Sequence, residues 1–597
     1  MRKHGNLASM LCVILCIGAI ASSAWSAQIV RGLVFWDKNG NGSQDKGEPG
    51  LPNVSVSNGK EVVQTDEHGL YTMPAYDEMI VFVSKPAGFT PPLNNDNVPQ
   101  FFYIHEPKGS PPEVKQFPGI SPTGPLPAMV NFPLYSERDR EKFVSPDHDS
   151  KKFKAIITGD TQVYTDTEIE YLRDSFIKEV SDIDASFVIS MGDNIGDNLS
   201  LYPRYLEVMS NIGRPIWLVP GNHDVNYDAN DPEHAFETFK SQFGPTYYSF
   251  NYGDVHFVVL NDILYPAPEF LPSKTYHGEI WGNQMEWLVK DLMYVPHDKL
   301  IVLNMHIPVV SDVDRLTPKH NVANRVALYN LLKGRKVVAL GGHTHTLDHF
   351  QAGEQQEGWG QPLAFPEVIV GASCGSWWSG DLDNNGVPMS YQRDGAPRGY
   401  MIWNFHGNEY NDQFRASGKD PIEQMHLSFM TPSFQDWFGS LLNWANQNPK
   451  TRTPNPPKTL NDLPDQGIVK QQDLGKIALV ANVWNSSRDS KVTCEFDSQQ
   501  KSDAKRDTSI GDPYAQRLQA YVFRYAMGFQ MFGTSQYGPA APQPEDAGNI
   551  VQNSRNFHLW TCHVPTNLGM GVHDVVVSTT DVHGNSSSQR MVFEVAQ

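Results

Sequence analysis

The sequence has 597 residues, a formal net charge of −20 and 40% hydrophobic residues. This apolar content excludes an intrinsically disordered chain, because there is enough material to bury. The acidic balance argues against binding to the phosphate backbone of nucleic acids, which depends on clustered Lys and Arg, so no nucleic-acid partner is expected. At roughly 100 to 200 residues per domain, the length predicts three or four domains.

The one long apolar run lies at the N-terminus, where it follows Arg2, Lys3 and His4. Its apolar core is about 15 residues long, whereas roughly 20 are needed to span a bilayer. The run therefore predicts a cleaved secretory signal peptide over residues 1–27 rather than a membrane anchor. We expect a periplasmic or secreted protein with no transmembrane segment in the mature chain.

The sequence contains five cysteines, and their use depends on whether the protein is exported. Cys12 and Cys16 would leave with the signal peptide, whereas Cys374, Cys494 and Cys562 would remain. Exported proteins can form disulfides, and the last two cysteines both lie in strand-like sequence. The sequence leaves open whether these two pair.

Changes in composition divide the rest of the chain into four segments. Residues 28–84 contain short β-branched runs between turns and predict a small β-sandwich module. Residues 85–149 are dense in proline, which predicts a linker or an extended wrap over a neighbouring surface. Strand and amphipathic-helix patterns alternate over residues 150–405, which predicts an α/β domain. Residues 406–597 contain a Pro-rich connection followed by strands and predict a β-rich C-terminal domain.

A calcium-type loop pattern occupies the N-terminal module. Oxygen-bearing side chains occupy the ligand positions of the twelve-residue pattern, and Gly42 occupies the sixth position, where the chain turns sharply. The flanking sequence is strand-like, so the pattern predicts one structural Ca²⁺ on a β-module rather than an EF-hand pair. The alternative is an Asn/Gly-rich turn held by side-chain-to-backbone hydrogen bonds. The ligand positions are Asp37, Asn39, Asn41, Ser43, Asp45 and Glu48.

Five apolar runs in residues 150–405 each end on residues of metal-ligand type. Near-continuous apolar runs indicate strands buried on both faces, and alternating strand–helix units bring strand ends to one edge of a sheet. Carboxylate, amide and imidazole groups suit Mn, Fe, Zn or Mg, and one shared carboxylate can hold two ions about 3.5 to 4 Å apart. The residues at these ends are Asp160, Gln162, Asp193, Asn222, His306, His343 and His345.

The ordered set GD-x-Q, GDN, GNHD, H and GHTH resembles the motifs of the calcineurin-like metallophosphoesterases. The flanking modules resemble the N- and C-terminal β-domains of an exported bacterial subgroup of that family. The resemblance implies an α/β fold with a β-sandwich core of two mixed sheets flanked by helices. It also implies two divalent metal ions and hydrolysis of phosphate esters by a hydroxide held between them.

Carried over by position, the resemblance implies a residue role for each motif. Asp193 is the implied bridge between the two ions. His223 is implied either as the acid that protonates the leaving oxygen or as a residue that stabilises the transition state, and either Asp224 or Asp197 as the residue that orients it. Gln162 departs from the family, because many members have His there. The implied ligands of the first ion are Asp160, Gln162, Asp193 and His345, and those of the second are Asp193, Asn222, His306 and His343.

Five further residues are candidates for substrate contact. Asn194 lies within the second motif, whereas Trp377, Trp378, Arg398 and Tyr400 follow the last motif. Arg398 offers a planar fork that suits a phosphate or carboxylate group. The alternative for the residues after the last motif is that they form core packing and a turn.

The predicted function is hydrolysis of phosphate esters by an exported metal-dependent enzyme. A phosphomonoester is favoured, because releasing phosphate from external esters suits a secreted enzyme, and a phosphodiesterase of the same fold is the alternative. A non-catalytic binding protein on a decayed scaffold is a rival from another class. The run GASCG at residues 371–375 matches the nucleophile elbow of serine hydrolases, but the helix which that motif requires does not follow it.

Overall fold

The computed structural model describes residues 28–137, 151–313, 315–380, 382–445, 447, 451, 453, 456–517 and 556–597. The predicted signal peptide, residues 1–27, lies outside this part of the chain. No helix within the described residues combines the length and the apolar character needed to cross a membrane.

The N-terminal module consists of two four-stranded sheets. Its strands are β1 (Ile29–Trp36), β2 (Ser55–Ser57), β3 (Val62–Gln64), β4 (Leu70–Pro74), β5 (Met79–Val83), β6 (Phe89–Thr90), β7 (Phe102–His105) and β8 (Phe132–Ser136). One sheet has the order β4-β1-β8-β6 and the other β3-β2-β5-β7. The Pro-rich stretch after residue 85 thus supplies three strands to this module. The predicted boundary at residue 84 stays a prediction.

The central region is a sandwich of two mixed sheets. Its strands are β9 (Lys152–Thr158), β10 (Phe187–Ser190), β11 (Ile216–Leu218), β12 (Tyr248–Tyr252), β13 (Val255–Val259), β14 (Ile263–Leu264), β15 (His277–Gly278), β16 (Leu300–Asn304), β17 (Lys336–Gly341), β18 (Leu347–Phe350), β19 (Glu367–Val370), β20 (Gly399–His406) and β21 (Glu409–Ala416). The first sheet has the order β11-β10-β9-β20-β21 and the second β12-β13-β16-β17-β19-β18. Most of these strands are buried along their whole length, as their apolar sequences predict.

Short helices flank the two sheets. They are α1 (Asp166–Leu172), α2 (Lys178–Val180), α3 (Tyr202–Met209), α4 (Glu237–Phe243), α5 (Gln284–Leu292) and α6 (Arg325–Leu331). A π-helical turn, Arg173–Ile177, joins α1 to α2. The hydroxyl of Thr165 caps α1 by accepting a hydrogen bond from the backbone N–H of Glu168, and acidic residues in the first turn suit the helix dipole.

The strands that end on the five motifs belong to two sheets rather than one. β9, β10 and β11 are parallel neighbours in the first sheet, whereas β16 and β17 are parallel neighbours in the second. Between the third and fourth motifs the chain forms β12 and β13, which begin the second sheet. The two sets of strand ends meet, because Nδ1–H of His306 after β16 donates to the carbonyl oxygen of Met191 after β10 at 2.9 Å.

The C-terminal region forms two further sheets and a helix. Its elements are β22 (Met425–Met430), α7 (Pro432–Ala445), β23 (Ile468–Lys470), β24 (Ala478–Val483), β25 (Lys491–Phe496), β26 (Gln500–Asp503), β27 (Lys505–Arg506), β28 (Leu559–His563), β29 (Gly571–Thr580) and β30 (Ser586–Ala596). The sheets have the orders β22-β24-β28-β27 and β23-β30-β29-β25-β26. A disulfide between Cys494 and Cys562 joins β25 of one sheet to β28 of the other, and Cys374 is a buried free thiol.

A buried carboxylate connects the C-terminal region to the central sandwich. Asp412 on β21 accepts hydrogen bonds from Nε2 of His349 at 3.0 Å and from Nε2 of His583 at 3.1 Å. Burial raises the pKa of Asp412, but the two imidazoles more than offset this and hold it well below its usual range. The pairing fixes one edge of the central sandwich to a loop of the C-terminal sheets.

A buried lysine connects the N-terminal module to the same sandwich. The side chain of Lys85 is fully buried, and its Nζ donates to Glu137 Oε1 at 2.8 Å and to the carbonyl oxygen of Asn251 at 2.7 Å. The ammonium also lies 3.5 Å from the ring centroid of Tyr252. Burial lowers the pKa of Lys85, and the charge of Glu137 opposes that shift. Removing the charge of Glu137 should therefore cost more stability than removing the charge of Lys85.

We expect Glu137→Gln to lower the thermal unfolding midpoint strongly, because it leaves a buried ammonium without its counter-charge at a cost of about 3 to 5 kcal/mol. Lys85→Met removes the charge together with the need for a partner, so it should be much less destabilising. Glu61→Gln is the matched control, because it removes the partner of Lys290 in a half-exposed ion pair. Equal shifts in midpoint for Glu137→Gln and Glu61→Gln would contradict the interpretation.

Candidate metal centre

Five strand-end segments converge at the junction between the two sheets. Asp160, Asp193 and Asn222 follow β9, β10 and β11, whereas His306 and His343 follow β16 and β17. All five side chains are buried. Ligand atoms of Asp193, His306 and His343 lie within 4.8 Å of one another. The structure therefore brings together the residues that the sequence proposed as the second metal site.

Three oxygen and nitrogen atoms of this group face one another. Nε2 of His306 lies 3.1 Å from Oδ2 of Asp193 and 3.2 Å from Oδ1 of Asn222. Because Nδ1–H of His306 donates to the carbonyl of Met191, a neutral ring presents its Nε2 lone pair to these two oxygens. Three acceptors that point at one another need a cation between them. This donor set fits a divalent metal ion.

The residues proposed for the first ion lie beside the second group. Asp160 accepts hydrogen bonds from the backbone N–H of His343 at 3.1 and 3.0 Å, and its Oδ1 lies 3.6 Å from Nε2 of His345. Nδ1–H of His345 donates to the carbonyl oxygen of Gly375, so the Nε2 lone pair faces Asp160. Asp160, Asp193 and the imidazole of His345 fit the other divalent ion.

Gln162 is buried in the same place. Its backbone N–H donates to the carbonyl oxygen of Asp193 at 2.8 Å, and its Nε2 donates to the hydroxyl of Tyr164 at 3.0 Å. Among the described residues, its Oε1 has only a long contact of 3.9 Å with the Cys374 thiol. The amide oxygen therefore keeps a lone pair for a metal ion, and its role as a ligand stays a prediction.

The backbone is left-handed at most of these ligands. The φ angles are positive at Asp160, Gln162, Asp193, His343 and His345, with values of 42°, 34°, 48°, 69° and 52°. Such conformations cost roughly 1 to 3 kcal/mol each in residues other than glycine, and they persist only where the surroundings impose them. The strain is concentrated at the candidate ligands, as expected for a site that positions its side chains in advance.

Two glycines in the motifs allow the segments to approach closely. A Cβ atom on Gly192 would lie 2.5 Å from Nδ1 of His306, and one on Gly221 would lie 2.1 Å from the backbone nitrogen of Asp193. Both distances are shorter than any real side chain allows, so alanine at either position would displace a candidate ligand.

The candidate site holds more buried hydrogen-bond acceptors than donors, and the pKa shifts of its residues reflect this excess. Burial raises the pKa of Asp160 to about 7. Burial also raises that of Asp193, but the charges of His306 and His223 reverse the effect and lower it to about 2. His306 responds in the opposite sense, because burial lowers its pKa while Asp193 raises it to about 10. A proton on His306 thus occupies the position that a metal ion would take.

The other two imidazoles are neutral. Burial, followed by the charge of Arg393, lowers the pKa of His345 to about 3. Burial and the neighbouring histidines hold the pKa of His343 well below its ordinary value. Neutral imidazole is the form that binds a metal, so these rings are already in the coordinating state.

His223 lies at the edge of this group and is 24% exposed. Its Nδ1–H donates to Oδ1 of Asp197 at 2.5 Å, and Nε2 points back to within 4.0 Å of Oδ2 of Asp193. The hydroxyl of Tyr227 also donates to Asp197 at 2.8 Å. Burial lowers the pKa of His223, but Asp193 and Asp197 raise it to about 9. The ring is therefore a cation whose Nε2–H faces the candidate metal site.

Of the two aspartates proposed to orient His223, Asp197 makes the contact. Asp224 instead accepts hydrogen bonds from the backbone N–H of Gly221 at 2.9 Å and from the hydroxyl of Tyr202 at 2.8 Å. It also accepts from Nδ2 of Asn194 at 3.0 Å. Asp224 thus braces the loop on which His223 stands, while the catalytic roles of these residues stay predictions.

Of the residues predicted to contact substrate, one faces the candidate metal ligands and the others pack elsewhere. Trp377 is half-buried, and its ring lies over that of His345 with centroids 4.6 Å apart, so it faces the site. Asn194 is fully buried and donates to the carbonyl oxygen of Val219 at 3.0 Å. Trp378 is also buried and donates to the carbonyl oxygen of Thr161 at 3.0 Å. Their contacts are those of residues that hold the motif loops in place.

Arg398 and Tyr400 are also among the residues that pack elsewhere. The guanidinium of Arg398 is buried, where it bonds Asp383 at 3.0 Å and the carbonyl oxygen of Pro388 at 2.9 Å. The ring of Tyr400 packs against Phe176 with centroids 5.4 Å apart. Among the contacts of the described residues, neither side chain touches a candidate metal ligand. This arrangement is the packing alternative that the sequence left open.

One residue at the centre was not predicted from the sequence. Nδ1 of His320 lies 2.8 Å from Nε2 of His343, and the carbonyl oxygen of Lys319 lies 3.1 Å from the same Nε2. Both groups accept a hydrogen bond from Nε2–H of His343, which leaves its Nδ1 lone pair available for a metal ion. His320 stands in a loop between β16 and α6, so no strand end marks it. Its only sequence signal is an additional histidine between the fourth and fifth motifs.

The calcium-type loop is closed by its own carboxylates. Both carboxylate oxygens of Asp37 accept backbone N–H groups at 2.7 Å, and those of Glu48 do the same at 2.8 to 3.3 Å. Asn39 and Asn41 each donate to Asp45 at 2.8 Å, which lowers the pKa of that carboxyl group. These bonds are those of a self-supporting turn. Calcium binding, which would also involve Ser43, stays a prediction.

Comparison with known proteins gives three family-model matches. A model described as calcineurin-like phosphoesterase matches residues 153–347. Models for the N terminal and the C terminal of calcineurin-like phosphoesterase match residues 38–119 and 367–586. No curated protein matches the sequence. The matches confirm the resemblance and, together with the two-sheet sandwich, the predicted fold class.

Three similar solved structures illustrate the same comparison. One is a dimetal phosphatase from Danio rerio, at 13% identity and a TM-score of 0.31, over 44% of this chain and 96% of that one. Another is purple acid phosphatase PPD1 from yellow lupin (Lupinus luteus) seeds, at 13% and 0.33, over 61% and 68%. The third is PhoD, at 12% and 0.32, over 65% and 85%.

We expect His320→Ala to weaken binding of one of two divalent ions by about 10- to 100-fold, because His343 loses an acceptor that fixes its tautomer. Titration calorimetry with Mn²⁺ measures this directly and does not depend on activity. His320→Asn should restore most of the affinity, because its amide oxygen takes the place of Nδ1. His297→Ala is the control, since His297 is exposed on a distant loop. Unchanged Mn²⁺ binding in His320→Ala would contradict the interpretation.

Proposed function

Because the chain belongs to the calcineurin-like phosphoesterases and is a metal-dependent phosphoester hydrolase, we propose that it is exported and acts on phosphomonoesters. The observation that carries the chemistry is the convergence of Asp193, His306 and His343 on one point between the sheets. Export is supported by the N-terminal sequence and by the disulfide between Cys494 and Cys562, which suits an oxidising compartment. The monoester preference is supported by the task expected of an exported enzyme.

We propose that the ligands expected from the sequence hold two ions. Asp160, Gln162, Asp193 and His345 would hold one ion, whereas Asp193, Asn222, His306 and His343 would hold the other. When bound, two divalent ions neutralise the oxygens of a phosphate group and make a water acidic enough to act as a nucleophile. Reconstitution with Mn, Fe, Zn or Mg identifies the metal.

The protein groups contribute orientation and a proton. Nδ1 of His223 is held by Asp197, so Nε2–H is aimed toward the site with a fixed ring orientation. The backbone N–H of His223 donates to Oδ1 of Asp193 at 2.8 Å, which ties the acid loop to the bridging carboxylate. We infer that His223 delivers its Nε2 proton to the departing alcohol oxygen. Asp197 keeps the ring protonated until that transfer.

The first test uses the chain from residue 28 onward, which lacks the predicted signal peptide. Treatment with EDTA should abolish hydrolysis of nitrophenyl phosphate, and Mn²⁺ or Zn²⁺ should restore it. The restored enzyme should hydrolyse nitrophenyl phosphate with a higher kcat/KM than bis(nitrophenyl) phosphate. The reverse preference identifies a diesterase, and metal binding without hydrolysis of either ester identifies a non-catalytic scaffold. Fractionation of cells that express the full chain tests export.

The second test addresses the acid. His223→Ala should lower kcat by about 10² to 10⁴ while the bound metal content stays the same, because the residue donates a proton and is not among the ligands. Asp197→Asn should lower kcat less, since the ring remains but its orientation and charge are no longer fixed. His234→Ala is a matched control, because Nδ1 of His234 bonds Asp231 at 2.7 Å in the same geometry. Equal kcat for His223→Ala and His234→Ala would exclude the proposed role.

A further inference from the structure

The loop between β19 and β20 contacts the backbone of the segment that carries His345, the second histidine of GHTH. The backbone N–H of Arg393 donates to the carbonyl oxygen of His345 at 3.1 Å. Two residues further on, the backbone N–H of Leu347 donates to the carboxylate of Asp394 at 2.6 Å. Hydrogen bonds to two adjacent residues of the loop therefore flank the candidate ligand.

The backbone conformation of His345 makes these contacts important. Its φ angle is 52°, in the left-handed region that residues other than glycine rarely adopt. Such a conformation persists only where the surrounding structure imposes it. Nδ1–H of the ring donates to the carbonyl oxygen of Gly375, which fixes the orientation of the imidazole. The two contacts with the loop act on the backbone itself.

The C-terminal region supplies partners that hold Asp394 in place. Asp394 is 2% exposed, and Nε2–H of His558 donates to its Oδ2 at 3.0 Å. Among the described residues, His558 is the only basic side chain paired with this carboxylate. The carbonyl oxygen of Asp394 accepts hydrogen bonds from Nδ2 of Asn482 at 3.0 Å and from Nδ2 of Asn556 at 2.5 Å. Because a buried carboxylate needs polar partners in place of water, loss of His558 would act directly on Asp394.

His558 is fixed on its other side as well. The ring is fully buried, and its Nδ1 lies 2.5 Å from Oδ1 of Asn482. The amide of Asn482 also donates to Oδ2 of Asp512 at 2.9 Å, and that oxygen lies 2.7 Å from Nε2 of His426 on β22. These contacts form a continuous chain of hydrogen bonds from β22 to Asp394. A buried polar network whose members are all paired holds each of them in one orientation.

We propose that His558 and Asp394 position His345 as a metal ligand, so that the C-terminal region contributes to the candidate metal centre. His558 acts through Asp394 and the backbone of Leu347, and it is therefore a positioning residue that touches neither metal nor substrate. The inference rests on the part of the proposed function that concerns metal binding, and it applies whichever ester is hydrolysed.

The test is calorimetric titration of the metal-free chain, from residue 28 onward, with Mn²⁺. His558→Ala should weaken binding of one of two ions by about tenfold, the lower end of the range for partners of metal ligands, because His558 lies one contact further out. His558→Gln should restore most of the affinity, since its amide N–H can replace Nε2–H and donate to Asp394. His558→Asn should not restore it, because the shorter amide reaches Asn482 instead.

His583→Ala is the matched control. Nε2 of His583 lies 3.1 Å from Asp412, so this pair also joins a histidine of the C-terminal region to a buried carboxylate of the central sandwich. Asp412 keeps a second imidazole, that of His349, and it lies on β21 rather than in the loop that contacts His345. The affinity for Mn²⁺ should be unchanged in this variant. Equal losses in His558→Ala and His583→Ala would reduce the effect to a weaker contact between the two regions and overturn the proposal.

Thermal unfolding of each metal-free variant separates positioning from folding. Unchanged Mn²⁺ binding in a folded His558→Ala protein overturns the proposal. If His558→Ala does not fold, His558→Gln and His558→Asn carry the comparison, because both keep a polar side chain, and equal Mn²⁺ affinities for these two overturn the proposal. The titration contains no ester. Loss of Mn²⁺ affinity in His558→Ala, in a protein that hydrolyses neither ester, would therefore support the positioning role and contradict the proposed function.

Discussion

Two carboxylates buried where two sheets meet are the constraint on which the rest of the structure depends. Asp160 and Asp193 are both inaccessible to solvent, and burial of a charge is costly unless a partner neutralises it. The protein supplies only part of that neutralisation through imidazoles. His306 and His345 each donate a hydrogen bond from one ring N–H to a backbone carbonyl and turn the other ring nitrogen toward a carboxylate. The arrangement is complete only when cations occupy the space between these acceptors.

The C-terminal region contributes to the same constraint through a contact with the segment that carries His345. Asp394 accepts the backbone N–H of Leu347 at 2.6 Å and Nε2–H of His558 at 3.0 Å. One of its partners therefore lies two residues beyond His345 in the GHTH segment, and the other belongs to the C-terminal region. The C-terminal region therefore helps to fix the loop between β19 and β20, and through it the segment that follows His345.

The sequence predicted the strands and their ligand-bearing ends because both carry strong local signals. Runs such as residues 187–190 and 300–304 are apolar throughout, and a polar residue at the end of such a strand has few structural uses. The division of these strands between two sheets leaves no signal in their own residues, since both sheets are equally buried, and only the family resemblance implied it. His320 lies in a loop, where no periodicity constrains which side chain turns inward. The same absence of periodicity leaves the sequence unable to separate a phosphate-binding Arg398 from the buried one that the structure shows.

Charge also determines how this protein can select an anionic substrate. Its acidic surface provides no long-range attraction, and charges beyond about 8 to 10 Å are screened at physiological ionic strength. Recognition must therefore come from contacts made at close range, at the candidate metal ligands themselves. The rings of Trp377 and Tyr276 lie against those of His345 and His343, with centroids 4.6 and 5.8 Å apart, so aromatic surface lines two of these ligands. The metal centre, rather than the net charge of the chain, therefore determines how an anionic ester is held.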